Sequence, residues 1–331
     1  MIISRTPVRI SLFGGGTDYR EYYSNGGGAV IGTTINKYVY VSINRLSDFF
    51  DYKIRVGYSK SELVNTVDQI VHPSVRECLK YKNINGNLDI HIFADLPART
   101  GLGSSSAFTV GFLHSLYALE GKVATKERLA TDALHVEQEM IKENVGSQDQ
   151  IHAAYGGLNV IEFGPGKFNV RPLIISESKR QLLENSIMIF YTSQTRLANE
   201  ILKEQIERTI SRDNDAYLKQ MHNMVYEAID IISNEEDNVF VQKLGVMLDA
   251  SWKLKKSLST QVSNSSIDEA YLRAINVGAY GGKVAGAGGG GFLMMLVAPS
   301  SQDNVRKALA DHLEVKIKFD SNGSTVIYHQ P

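Results

Sequence analysis

Two rhythms of hydrophobic residues run along this chain, and the change between them divides it. Residues 38–46 alternate Val39, Val41 and Ile43 with Tyr38, Tyr40 and Ser42, the period of two expected of a half-buried strand. Short apolar runs at 8–13, 29–35, 54–58 and Leu88–Ala94 predict further strands. Residues 107–119 are apolar on nearly every side and predict a buried helix. Thr125 is placed to cap the next helix, which runs to about Glu143. Gly146 stops it, and Ser147 with Gln150 three positions on has the spacing of a capping box. Strands follow at 157–163, 168–175 and Ile187–Tyr191. From 196 to 257 the rhythm is helical, in three segments, with another helix at 267–278. A glycine-rich loop at 283–291, the strand Phe292–Val297, a helix and two short strands complete the chain. A strand-rich half followed by a helix-rich half predicts an α+β protein of two domains, residues 1–180 and 181–331.

Composition narrows the classes. With 35 basic against 36 acidic residues, a net charge of -1 exerts no global pull on nucleic acid or an anionic membrane. An anionic ligand must be held by local groups. No run of 18 apolar residues occurs, so no membrane span is predicted. The N-terminus, broken by Arg5, Pro7 and Arg9, makes a poor signal peptide. Cys78 is the only cysteine, which excludes an intrachain disulfide and predicts a reducing, cytoplasmic setting.

Glycine changes the picture most. Many of the 28 fall in four clusters, at 14–16, 26–28, 101/103 and 286–291, each beside a strand-like or helix-like run. Gly101, Leu102, Gly103, Ser104, Ser105 and Ser106 stand between a strand and a helix. Glycines there let a phosphate approach the free N–H groups of a helix N-terminus, and a serine hydroxyl can ligate Mg2+. The plainer reading is a serine cap after a glycine turn. Glu137 falls in the apolar stripe of Ala130, Ala133, Leu134, Met140 and Ile141, where a carboxylate needs a cation or donors; it fits a magnesium ligand, a structural salt bridge or a side chain that snorkels to solvent. Asp149, near a helix start, fits a catalytic base or a residue that complements the helix dipole. The run Gly286, Ala287, Gly288, Gly289, Gly290, Gly291 fits a loop pressed on a ligand or another backbone, or else a hinge.

Three stretches in order, PVRISLFGGGTDY, PARTGLGSSSAF and GGKVAGAGGGGF, resemble the GHMP kinases, a superfamily named for galactokinase, homoserine kinase, mevalonate kinase and phosphomevalonate kinase. The resemblance spans essentially the whole chain. It implies an α+β N-terminal domain with a left-handed crossover, packed on a ferredoxin-like C-terminal domain. It also implies ATP over the Gly101–Ser106 turn, Mg2+ on Ser105 and Glu137, and Asp149 as base, twelve residues after Glu137. Arg9 matches a cation that assists the base and the phosphoryl group. Gly15, Gly16, Thr17 and Asp18, with Gly286, Ala287, Gly288 and Gly289, match the substrate side.

Galactokinases have Glu and His where this chain has Gly15 and Gly16. The change removes two bulky side chains and implies room for a longer acceptor. The Gly14-to-Asp18 sequence, and WKLKKSLSTQVSNSSID from Trp252, resemble the members that phosphorylate D-glycero-D-manno-heptose 7-phosphate and the kinase part of fucokinases. The implied partner is a small sugar phosphate. Arg20, Arg99, Arg196, Lys255 and Lys256 are candidates for its phosphate. The rivals are a fucokinase or other sugar kinase of the family, a catalytically silent sugar sensor on the same fold, and a Rossmann oxidoreductase, which would need an N-terminal GxGxxG that this chain lacks. ATP with magnesium should raise the melting temperature by linkage, which a thermal-shift assay reads directly; stabilisation by a nicotinamide dinucleotide and not by ATP would point to the oxidoreductase.

Overall fold

The computed structural model describes residues 1–98, 100–192, 198–237 and 239–330. The first part of the chain runs β1 (Ile2–Phe13), α1 (Arg20–Tyr23), β2 (Gly28–Arg45), β3 (Ile54–Gly57), β4 (Ser61–Val64), α2 (Pro73–Tyr81), β5 (Leu88–Ala94), α3 (Ser104–Leu119), α4 (Lys126–Leu134), α5 (Gln148–Tyr155), β6 (Leu158–Gly164) and β7 (Lys167–Pro172). The second runs α6 (Glu177–Ser186), β8 (Ile187–Tyr191), α7 (Ala198–Ile210), α8 (Asp215–Asn234), α9 (Phe240–Leu258), α10 (Ser265–Asn276), β9 (Ala279–Val284), β10 (Phe292–Val297), α11 (Gln302–Ala308), β11 (Leu313–Val315), β12 (Phe319–Asp320) and β13 (Thr325–His329). Among the described residues no helix is long and apolar enough to cross a membrane.

The first sheet has the order β13-β1-β2-β5-β3-β4, with β6 and β12 also on β2 and β7 on β6. The expected strands at 29–35 and 38–46 are one strand. Between them the register shifts, from Pro7 opposite Tyr38 to Val8 opposite Ile35, and the Asn36 amide donates to the Lys318 carbonyl at 2.9 Å. One long strand can therefore serve β6 at its start, β12 in the middle and β5 at its end. The buried helix α3 packs across β1 and β2, hydrophobic all round because sheet and helices surround it.

The second sheet is antiparallel in the order β11-β8-β10-β9, which is fourth-first-third-second within its own unit and is the ferredoxin-like arrangement. The expected boundary at 181 falls inside α6, just before this sheet begins. The expected end at 331 does not describe one body: β12 and β13 return to the first sheet, on β2 and β1. Ser324 secures that return through Thr6 Oγ1 at 2.8 Å and His114 Nδ1 at 3.1 Å.

Helix α9 lies on β9 at backbone distance. A Cβ on Gly281 would sit 2.0 Å from the Gly245 carbonyl oxygen. Gly281→Ala must push helix and strand apart, so it should cost about 1–3 kcal/mol, as overpacking does. Urea unfolding measures this, and an unchanged midpoint would show the contact to be compliant.

Candidate active site

Arg9 lies in β1 and is 4% exposed. Its guanidinium donates through Nε to Asp149 Oδ1 at 2.8 Å, meets the same oxygen through Nη2 at 2.6 Å, and donates through Nη1 to the Gly101 carbonyl at 2.7 Å. Its backbone N–H donates to the Leu102 carbonyl at 3.0 Å. These contacts fasten β1 to the turn before α3 and to the first turn of α5. Both guanidinium contacts fall on Oδ1. Oδ2 is left beside Gly103, where a Cβ would stand 3.1 Å from it. The Asp149 side chain keeps 24% of its surface exposed, so it can be reached.

The start of α5 is not the expected capping box. Ser147 has helical backbone angles and makes no capping bond. Its hydroxyl instead takes Gln138 Nε2 at 3.1 Å, and the Gln150 side chain reaches Glu137. Asp18 does the capping from a distant loop. The Ser147 amide donates to its carbonyl at 2.9 Å and the Gln148 amide to its Oδ2 at 3.4 Å. Asp18 Oδ1 accepts from the Gly16 amide at 2.9 Å. Burial pushes the Asp18 carboxyl up, the backbone donation from Gly16 pulls it down, and the neighbouring Asp149 charge adds to the rise. Thr17, expected at the substrate, bonds through its hydroxyl to the backbone of Gly14 and Ala29 and is fully buried.

The Gly101–Ser106 turn has both glycines left-handed, at φ 83° and 76°. Gly103 caps α3 without any side-chain acceptor on the first turn, so the leading N–H groups are available to an anion. Ser106, rather than the expected Ser105, touches Glu137: its hydroxyl donates to Oε2 at 2.8 Å, while Ser105 is exposed. Glu137 sits in a single π turn, His135–Met140, where the expected α-helix breaks step. It is fully buried, and burial pushes its carboxyl up to about 7 against the opposing pull of Thr109, Gln150 and Ser106. Its Oε1 has no hydrogen-bond partner among the described residues. An orphaned carboxylate oxygen behind a phosphate-suited helix N-terminus fits a hard cation such as Mg2+.

The glycines at 286–291 meet backbone. A Cβ on Gly286 would lie 2.5 Å from Gly101 Cα, one on Gly291 2.3 Å from the Thr100 carbonyl, and one on Gly288 2.5 Å from the Val262 carbonyl. The Gly289 amide donates to Val262 at 2.7 Å. This loop therefore clasps the phosphate-type turn. Lys255 reaches the Gly286 carbonyl from α9. The space opened at Gly16 is filled from within, by Leu218, Gln205 and Leu258, whereas Gly15 has only Ser11 Oγ and Gln148 Nε2 nearby, at 3.6 and 3.9 Å.

Of the expected phosphate ligands, Arg20 pairs with Glu139 and Lys256 with Asp268 near the surface. Arg99 and Arg196 lie outside the described residues. Lys283, Gln148 and Gln150 also belong to this site. Lys283 opens the glycine motif, but nothing in its spacing shows that it turns inward. Gln150 carries no local signal beyond its place in a capping box that does not form.

The patterns of the GHMP kinases N terminal domain and the GHMP kinases C terminal domain match residues 65–157 and 240–315. The D-glycero-alpha-D-manno-heptose 7-phosphate kinase of Campylobacter jejuni is 30% identical over 321 residues, 93% of each chain. The bifunctional fucokinase/GDP-fucose pyrophosphorylase of Arabidopsis thaliana is 28% identical over 70% of this chain, which spans 22% of that protein. A crystal structure titled as a D-glycero-D-manno-heptose 1-phosphate kinase from Bacteroides thetaiotaomicron superimposes with a TM-score of 0.72 at 23% identity, covering all of both chains. The chain belongs to the GHMP kinases and is an ATP-dependent sugar kinase.

The raised Glu137 carboxyl predicts a pH effect. The fold holds a proton there up to about 7, whereas the unfolded chain releases it at 4.5. Its stabilisation is complete below the lower value and is lost as pH rises through the upper one. Glu137→Gln, neutral throughout, removes this loss. Urea unfolding of both proteins at about pH 5 and about pH 8 measures it. Identical pH dependence would mean that Glu137 is ionised across the range.

Proposed function

We propose that this enzyme transfers the γ-phosphoryl group of ATP to the anomeric hydroxyl of D-glycero-D-manno-heptose 7-phosphate, giving the 1,7-bisphosphate and ADP. The observation that carries the mechanism is the division of labour on Asp149: Oδ1 is taken by Arg9, and Oδ2 is left open beside the Gly103 turn. Oδ2 accepts the hydroxyl proton as the sugar oxygen bonds to phosphorus and the bond to the bridging oxygen of ADP breaks. Arg9 fixes the carboxylate and the turn in one geometry. The first N–H groups of α3 receive phosphate oxygens. Glu137, with Ser106 already on it and Ser105 one residue earlier, would hold magnesium. Bound there, the ion would supply charge neutralisation between phosphate oxygens.

For the acceptor, the Campylobacter jejuni heptose 7-phosphate kinase supports the heptose over fucose, because it is 30% identical across 93% of both chains, against 28% over 70% of this chain for the Arabidopsis thaliana fucokinase. An intact Asp149–Arg9 pair favours an enzyme over a silent sensor, since a binder needs no base. Asp149→Asn should lower kcat by about 10²–10⁴-fold with little change in nucleotide binding. Steady-state kinetics checks this, and a variant within a few-fold of wild type would reduce Asp149 to a helix-start residue. In a panel of acceptors, fucose or galactose matching the heptose phosphate in kcat/KM would overturn the substrate while leaving the kinase in place.

A further inference from the structure

Lys255 of α9 and Lys283 of β9 are 7% and 4% exposed, and they come together where β1 ends and the Gly14–Gly16 loop begins. Lys283 donates to the Leu12 carbonyl at 2.9 Å, and Lys255 donates to the carbonyl of Gly286. Each ammonium has three donors, and these are the only acceptors found for them among the described residues. Neither has a carboxylate within ion-pair distance there. The acids nearby are already engaged, Asp149 by Arg9 and Asp18 by the amides of Gly16 and Gln148. With all five groups ionised, Arg9, Lys255 and Lys283 would face two carboxylates, one positive charge in excess in a buried place. Burying uncompensated charge costs several kcal/mol. Among the described residues no group offsets that cost. An anion would.

We propose that Lys255 and Lys283 are the cationic half of a phosphoryl-binding site on the acceptor side of Asp149, built to hold the phosphate of a phosphorylated sugar. The position of the two lysines supports this source. Lys255 holds Gly286, whose backbone abuts Gly101, the residue that accepts from Arg9, and Lys283 holds Leu12 at the end of β1, just before the Gly14–Gly16 loop. The pair therefore extends from the reacting end of the site toward the loop that carries Gly15, where a Cβ would meet only Ser11 Oγ and Gln148 Nε2, at ordinary contact distance. Burial, then the neighbouring cations, lowers Lys255 to about 8 and Lys283 well below its ordinary range; a bound dianion would restore both charges. The remaining candidates for the phosphate among the described residues, Arg20 and Lys256, already have exposed carboxylate partners.

The inference rests on the acceptor lying at Asp149. That reading fails on the kinetics of Asp149→Asn, whereas this one fails on phosphate binding, which needs no turnover. Lys255→Met and Lys283→Met keep the aliphatic length and remove the charge. Each should lower the preference for heptose 7-phosphate over the unphosphorylated heptose, read as a ratio of kcat/KM, by about 10- to 100-fold, the range for a lost charge-assisted hydrogen bond. A fall in kcat shared equally by both acceptors would assign the lysines to the phosphoryl group in transit and overturn the acceptor assignment. Unchanged kinetics in folded variants would overturn the site altogether. A measurement independent of the variants uses the wild-type enzyme with a non-hydrolysable ATP analogue filling the nucleotide site. Inorganic phosphate should then raise the melting temperature and compete with the sugar phosphate. Phosphate that neither shifts the melting temperature nor competes rules the site out.

Discussion

The guanidinium of Arg9 is the contact on which the arrangement of this site depends. It comes from a central strand of the first sheet and is spent entirely inside the protein, on the Asp149 carboxylate and the Gly101 carbonyl. Those two partners open different helices. By holding both, Arg9 sets how far the Asp149 carboxylate stands from the Gly101–Ser106 turn, a distance that the proposed transfer cannot leave loose. A planar fork with several fixed donors suits this better than a flexible ammonium. The cost is a buried cation, and Asp149 meets it only by giving up one of its two oxygens.

Around that contact the chain uses glycine for closeness. Gly101 and Gly286 come from strand-to-helix and strand-to-strand turns nearly two hundred residues apart, and their backbones touch where any side chain would collide. Lys255 then holds the Gly286 carbonyl from beneath. The later part of the chain thereby supplies one wall beside Asp149, the Gly101–Ser106 turn and Glu137, all of which come from the earlier part. Asp18 plays the matching part on the other side, capping the helix that carries Asp149. These are long-range solutions to a local problem: a short helix start and a tight turn need partners that their own sequence neighbours do not provide.

Much of this was legible in the amino-acid order. Leu88–Ala94, Ile187–Tyr191 and Phe292–Val297 form as their apolar runs predict, because side-chain alternation and run length are local properties. Thr125 caps α4 through Arg128 N, as a threonine before a helix should. Three glycine motifs in order fixed the family, and with it the two-domain fold.

What the order of residues could not decide was which groups meet. Ser147 and Gln150 have the spacing of a capping box, yet Ser147 accepts from Gln138, and Gln150 donates to Glu137 because a buried carboxylate needs donors. Ser106 and not Ser105 reaches Glu137, since the first turn of α3 faces Ser106 inward and Ser105 outward. The last strands leave the second domain for the first because β1 and β2 still have open edges there. Lys283 looks like any lysine in a glycine-rich run until the fold buries it beside Lys255. Sequence by itself determined the elements, the motifs and the kinase family, which rest on short-range pattern and on residue type. Tertiary structure alone decided the pairing of charges and the backbone-to-backbone contacts, because those depend on distances between segments that no local pattern encodes.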